Sequence, residues 1–165
     1  KPKKIEEHRK DPRLTKGPII VSIDTSGSMS GQPQRIAFSL LKQLLRMAKK
    51  QKRPCYLISF SVRSKSIDLA KPRNWGKIDN FLENSYSGGT DGEEMLAEAI
   101  HVLQKGTYEM ADVLIVSDFE FPVPTPSTME KIDKEKTLGT RFYGLKIGHY
   151  GVKGYKLIMD KIWEV

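Results

Sequence analysis

Cysteine is almost missing from this chain of 165 residues: Cys55 is the only one. No internal disulfide can brace the fold, and a lone thiol fits a reducing compartment, so the expected location is the cytoplasm. Long apolar runs are missing too. None approaches the roughly 20 residues a transmembrane helix needs, and the opening Lys1-Pro2-Lys3-Lys4-Ile5-Glu6-Glu7 lacks the apolar stretch of a signal peptide. Histidine is sparse, and His8, His101 and His149 form no zinc-protease pattern. No Gly-x-x-x-x-Gly-Lys-Ser/Thr loop is present to cradle a nucleotide. In Gly27-Ser28-Met29-Ser30-Gly31 a methionine stands where a nucleophile elbow carries its serine. Aromatic residues make up 8% of the chain, and the basic stretches lack the interleaved rings on which single-strand nucleic-acid binders stack bases. These absences argue against an enzyme and make nucleic acid a secondary partner class.

What is present reads as one globular domain. The composition is 38% hydrophobic and 29% charged, enough to bury a single core. The net charge is +8, and residues 1–16 hold seven Lys or Arg against three acids, a net +4 in this short segment. The expected organisation is a basic leader or linker over 1–16 and a domain over 17–165.

Apolar β-branched runs alternate with helical periodicities. Ile19 to Asp24, Tyr56 to Phe60, Asp112 to Asp118 and Phe142 to Ile147 read as strands, and Ser64 to Leu69 as a short edge strand. Ile36, Ala37, Leu40, Leu41, Leu44, Leu45 and Ala48 mark the apolar face of a helix that Pro54 stops. Further helices are expected near Lys77 to Glu83, after an Asp91 cap, after a Ser127/Glu130 capping box, and over Tyr155 to Ile162, with Trp163 packing the last one down. Alternating strands and helices predict a Rossmann-like, doubly wound α/β fold: a mostly parallel sheet with one antiparallel edge strand and helices on both faces.

The chemistry-bearing residues sit at the carboxyl ends of those strands. Asp24-Thr25-Ser26-Gly27-Ser28 closes the first strand, Thr90 follows Gly88-Gly89, and Asp118 closes the third buried run. In a parallel sheet these ends meet on one edge, where ligands bind at the topological switch point. Asp24, Ser26, Ser28, Thr90 and Asp118 offer two carboxylates and three hydroxyls, hard donors suited to Mg²⁺ first, and to Mn²⁺ or Ca²⁺. Each element alone could equally cap a helix or close a turn; their joint occurrence points to a metal. A phosphohydrolase is the less favoured alternative, because Ser26 stands where an Asp-x-Asp pair carries its second carboxylate.

A second feature is a row of cations. Arg35, Lys42, Arg46, Lys49 and Arg53 recur at helical spacing and predict one outward stripe. Such a stripe reads as a solvated helix face, or as a docking surface for an acidic partner, a protein patch or a phosphate backbone.

Asp24-x-Ser26-x-Ser28, Thr90 behind Gly88-Gly89, and Asp118 after an apolar strand resemble the metal-ion-dependent adhesion site of von Willebrand factor A domains. The resemblance implies that Ser26 and Ser28 ligate directly, and that Thr90, Asp24 and Asp118 do so directly or through water. An open position would then accept a carboxylate from a partner. Within that superfamily, Ser85-Tyr86-Ser87-Gly88-Gly89-Thr90-Asp91, Ser117-Asp118-Phe119 and Asp160-Lys161-Ile162-Trp163 are similar to bacterial ViaA-type proteins. That likeness implies work with a MoxR-type AAA+ ATPase or one of its clients.

Overall fold

The computed structural model describes residues 17–83, 88–148 and 153–165. The expected leader over 1–16 and His149 lie outside them. The described elements are β1 (Ile19–Asp24), α1 (Gln32–Lys50), β2 (Cys55–Phe60), β3 (Ser64–Asp68), α2 (Ile78–Glu83), α3 (Gly92–Leu103), β4 (Asp112–Ser117), α4 (Pro126–Thr137), β5 (Arg141–Lys146) and β6 (Lys161–Glu164). Short 3₁₀ turns at Gly27–Met29, Pro72–Lys77, Gly106–Tyr108 and Lys153–Leu157 link them.

The six strands form one sheet in the order β3-β2-β1-β4-β5-β6. Only β3 runs antiparallel, along β2; the other pairings are parallel. From β1 the chain moves outward through β2 to β3, then crosses to the other side of β1 for β4. The switch point therefore lies between β1 and β4, and their carboxyl ends carry Asp24 and Asp118.

Every residue of β1 and β2 is buried, as a strand covered by helices on both faces requires. The two-residue period splits the core into two layers. Val21, Ile23 and Leu57 pack with Leu41, Leu45 and Ala48 of α1 and with Ile78 and Leu82 of α2. Ile20, Ile58, Val113 and Phe142 face Met95, Leu96 and Ala99 of α3 and Ile132 of α4. Burying one such leucine contributes roughly 1.5–3 kcal/mol, so the helical periodicity of α1 is fixed by what it covers.

Two expectations are corrected here. Tyr155 to Ile162 is not a helix. A 3₁₀ turn at Lys153–Leu157 gives way to β6, which pairs in parallel with β5 from Tyr143↔Lys161 to Lys146↔Glu164. The open edge of β5 satisfies the backbone of this short segment: Asp160 N–H donates to the Phe142 carbonyl at 2.7 Å and Val165 N–H to that of Lys146 at 2.9 Å. Trp163 accordingly lies half-exposed on an edge strand beside the Tyr143 ring, with centroids 5.6 Å apart. The α4 cap is also Thr125, two residues before the expected Ser127. Its hydroxyl accepts from Thr128 N–H at 3.3 Å, because Pro126 is best accommodated at the first helical position.

Candidate metal centre

The first loop of the site is tied down before any side chain is considered. Thr25 N–H donates to the Phe60 carbonyl at 2.9 Å, and the Thr25 hydroxyl lies 3.0 Å from that of Ser59. Gly27 N–H then reaches the Gly88 carbonyl at 3.2 Å. A Cβ at Gly27 would stand 3.2 Å from the same oxygen, so glycine permits this approach. On the far side of Thr90, Asp91 N–H donates to the Ser61 carbonyl at 2.6 Å. Thr90 is thus pinned between two backbone bonds, and its loop lies against the loop of Ser26 and Ser28. Asp91 caps α3 by accepting from Glu94 N–H at 3.1 Å, the role expected of it.

Asp24 is 2% exposed and Asp118 4%. Asp24 Oδ1 accepts from Ser26 N–H at 2.9 Å and Oδ2 from the Ser117 hydroxyl at 2.5 Å. Asp118 Oδ1 accepts from Glu120 N–H at 3.0 Å. The hydroxyls of Ser26 and Ser28 stand 3.2 Å apart. Among the described residues no Lys or Arg pairs with either aspartate. Burial pushes the Asp24 carboxyl above its ordinary range; the hydrogen bonds from Ser117 and Ser26 oppose this, and the neighbouring Asp118 charge adds to it. Glu120, exposed at the rim, is raised by desolvation and by the nearby Asp118 and Asp24 carboxyls.

No group of three or more His, Cys, Asp or Glu side chains forms a metal cage among the described residues. Hydroxyls would have to complete any coordination sphere. The donor set fits a hard divalent cation: buried carboxylates with no protein counter-charge are costly alone, and neutral oxygens beside them suit Mg²⁺ or Ca²⁺.

Sequence reasoning missed Ser117 and Glu120. Ser117 reads as one more position of a buried strand, yet its hydroxyl holds Asp24 and accepts from Phe119 N–H at 2.8 Å. The available signal was a serine ending an apolar run directly before an aspartate.

The cation stripe holds over one helix only. Arg35, Lys42, Arg46 and Lys49 are exposed on α1. Lys42 meets Asp79 at 3.5 Å, and the Lys49 ammonium lies 5.1 Å from the Trp75 ring centroid. Lys42, Arg46, Trp75 and Asp79 border a shallow groove of about 350 Å³. Arg53 does not belong to the stripe. The helix ends at Lys50, Lys52 adopts a left-handed φ of 56°, and the chain turns inward. The Arg53 guanidinium bonds Asp112 at 3.0 Å and the Gly17 carbonyl at 2.6 Å.

The comparisons with known proteins bear on the fold. No protein-family model matches the chain. Regulatory protein ViaA of Edwardsiella ictaluri is 31% identical over 160 residues, covering 95% of this chain and 32% of that protein. The chain therefore spans about a third of the length of this curated relative. Among solved structures, a von Willebrand factor type A protein from Catenulispora acidiphila superposes with a TM-score of 0.66 at 15% identity, over 92% of this chain and 39% of that one. The SpRpn10 VWA domain does so with a TM-score of 0.63 at 14% identity, over 92% and 88%. At these identities the solved structures speak for the fold. The chain has the fold of a von Willebrand factor A-type domain and is related in sequence to the ViaA regulatory proteins.

Proposed function

We propose that this domain is a non-enzymatic protein-interaction module whose contact with its partner depends on a divalent cation. The observation that carries the reading is the pair of buried aspartates, Asp24 and Asp118, which hydroxyls and amides hold in place and which no cation among the described residues neutralises. Asp24, Ser26, Ser28, Thr90 and Asp118 would hold the ion, Mg²⁺ before Mn²⁺ or Ca²⁺. When bound, the ion offers a hard acidic site to an Asp or Glu carboxylate of the partner.

The chain's own residues do the positioning. Ser117 and the Ser26 amide fix the Asp24 carboxylate from both oxygens, so it cannot turn away when the charge arrives. The Gly27–Gly88 backbone bond keeps the serine and threonine loops in register. Arg35, Lys42, Arg46 and Lys49 add long-range attraction for an acidic partner, a component that fades with salt. A regulatory name among the relatives agrees with an adaptor role. In that role the partner would be a MoxR-type AAA+ ATPase or a client presented to it, and the work would lie in the cytoplasm.

Calorimetric titration with Mg²⁺ tests the site, and a binding titration against the ATPase with Mg²⁺ and with EDTA tests the use. Ser26→Ala with Ser28→Ala should lower both affinities and leave the fold intact. Partner affinity indifferent to EDTA and to both substitutions would sink the metal-dependent reading.

A further inference from the structure

We propose that the cavity between the C-terminal ends of α3 and α4 is a receptor for one lysine or arginine side chain of a partner protein, with Glu135 as its counter-charge. This cavity lies at the amino-end edge of the sheet, opposite the aspartates, and encloses about 510 Å³. That falls within the roughly 300–1,000 Å³ of small ligand sites. Leu103, Met110 and Leu138 give it apolar walls, and Glu135 is set among them.

Glu135 is 6% exposed, and among the described residues no hydrogen bond or ion pair engages its carboxylate. Helix capping does not account for it either. The end of α4 is closed by the Glu135 backbone carbonyl, which accepts from Thr140 and Leu138 N–H, both at 3.1 Å. A largely desolvated carboxylate that no protein cation offsets is unfavourable, and burial raises its pKa, against a smaller opposing effect of Lys134. A cation entering the cavity would stabilise the ionised form and gain a charge-assisted bond.

The walls select the rest of the ligand. An ammonium or guanidinium on an aliphatic stem covers apolar surface along its length and keeps the charge at its tip. Glu109 adds a second acid at the lining, against the single base Lys134. Leu138, 58% exposed at the same lining, marks the source as a protein. A free alkylamine would leave this leucine in water, whereas a polypeptide carrying the side chain would cover it. Met110, at a φ of 58°, packs against Gly139, where a Cβ would stand 3.0 Å from the Met110 sulfur; this close contact fixes one wall.

The test is an amide chemical-shift titration of the full chain with four probes: acetyl-Gly-Lys-Gly-amide, its arginine counterpart, its norleucine counterpart, and n-butylammonium. The basic peptides should shift the amides of Leu138, Gly139 and Thr140, with EDTA making no difference, which separates this site from the metal reading. Norleucine removes the charge and keeps the stem, and should bind about tenfold more weakly. Glu135→Gln should erase that difference. Equal binding of lysine and norleucine peptides would overturn the proposal, as would undiminished lysine binding in Glu135→Gln. Butylammonium binding as tightly as the lysine peptide would overturn the assignment to a protein side chain. Should Glu135→Gln fail to fold, the lysine–norleucine comparison decides on the unaltered protein.

Discussion

The two ends of the sheet treat their carboxylates in opposite ways. At the amino end, Asp112 opens β4 and receives the Arg53 guanidinium at 3.0 Å, so an acid is matched by a base of the same chain. At the carboxyl end, Asp24 and Asp118 are more deeply buried and, among the described residues, receive only hydroxyl and amide hydrogens. Hydrogen bonds orient a carboxylate; they do not cancel its charge. The amino end is thus complete by itself over Asp112, and the carboxyl end calls for charge from outside. Glu135 is the exception at the amino end, a buried acid that no described residue matches.

The largest effect should come from removing a carboxylate at the open end. Asp24→Asn or Asp118→Asn is expected to weaken Mg²⁺ binding by more than about a hundredfold, since even outer-shell changes cost roughly 10–100-fold. Without metal, the same variants should be at least as stable as the parent in urea, because a buried unpaired charge has gone. A large loss of metal-free stability would mean that the aspartates serve the fold.

Breaking the matched pair should do the reverse. Arg53→Met is expected to lower unfolding stability by about 2 kcal/mol, the scale of a charge-assisted hydrogen bond in a partly buried setting, and to leave Mg²⁺ affinity unchanged. Denaturant melts and calorimetry on one preparation would separate the two. Loss of Mg²⁺ binding in this variant would break the independence of the two ends.

A smaller effect, readable only against pH, concerns Glu135. Its pKa in the folded chain is raised by burial, so the folded state holds the proton more tightly than the unfolded one. Its contribution is fullest below the unfolded value of about 4.3 and is lost as pH rises through the folded value. Glu135→Gln does not suffer that loss. Its melting temperature relative to the parent should be higher at pH 7 than at pH 4; the opposite trend would mean that the carboxylate has a stabilising partner.

The smallest expected signal is at Cys55, at the start of β2. Burial pushes its thiol up to about 12, so iodoacetamide should leave it unmodified in the folded protein at neutral pH and label it after denaturation. Labelling of the folded chain would show that the amino end opens.

The central strands were legible because burial on both faces demands nearly continuous apolar runs, and β1, β2 and β4 have them. The strand ends carrying Asp24 and Asp118 could be read for the same reason. Ser117 was not legible, since a serine in a strand gives no hint of which carboxylate it will meet 93 positions away. Arg53 was misread because helical spacing continues on paper beyond the residue at which the backbone turns left-handed, Lys52. The last segment was misread because Tyr155, Ile158 and Ile162 have helical spacing, whereas the free edge of β5 had backbone bonds to give.

The sequence by itself determined the alternation of strands and helices, the apolar faces, and the hard-oxygen residues at the strand ends. These follow from local periodicity, which the chain carries at every step. Tertiary structure alone decided which carboxylates are matched by cations, where Ser117 acts, and that residues 161–164 extend the sheet. Each of these depends on groups far apart in sequence, whose meeting is set by strand order and register.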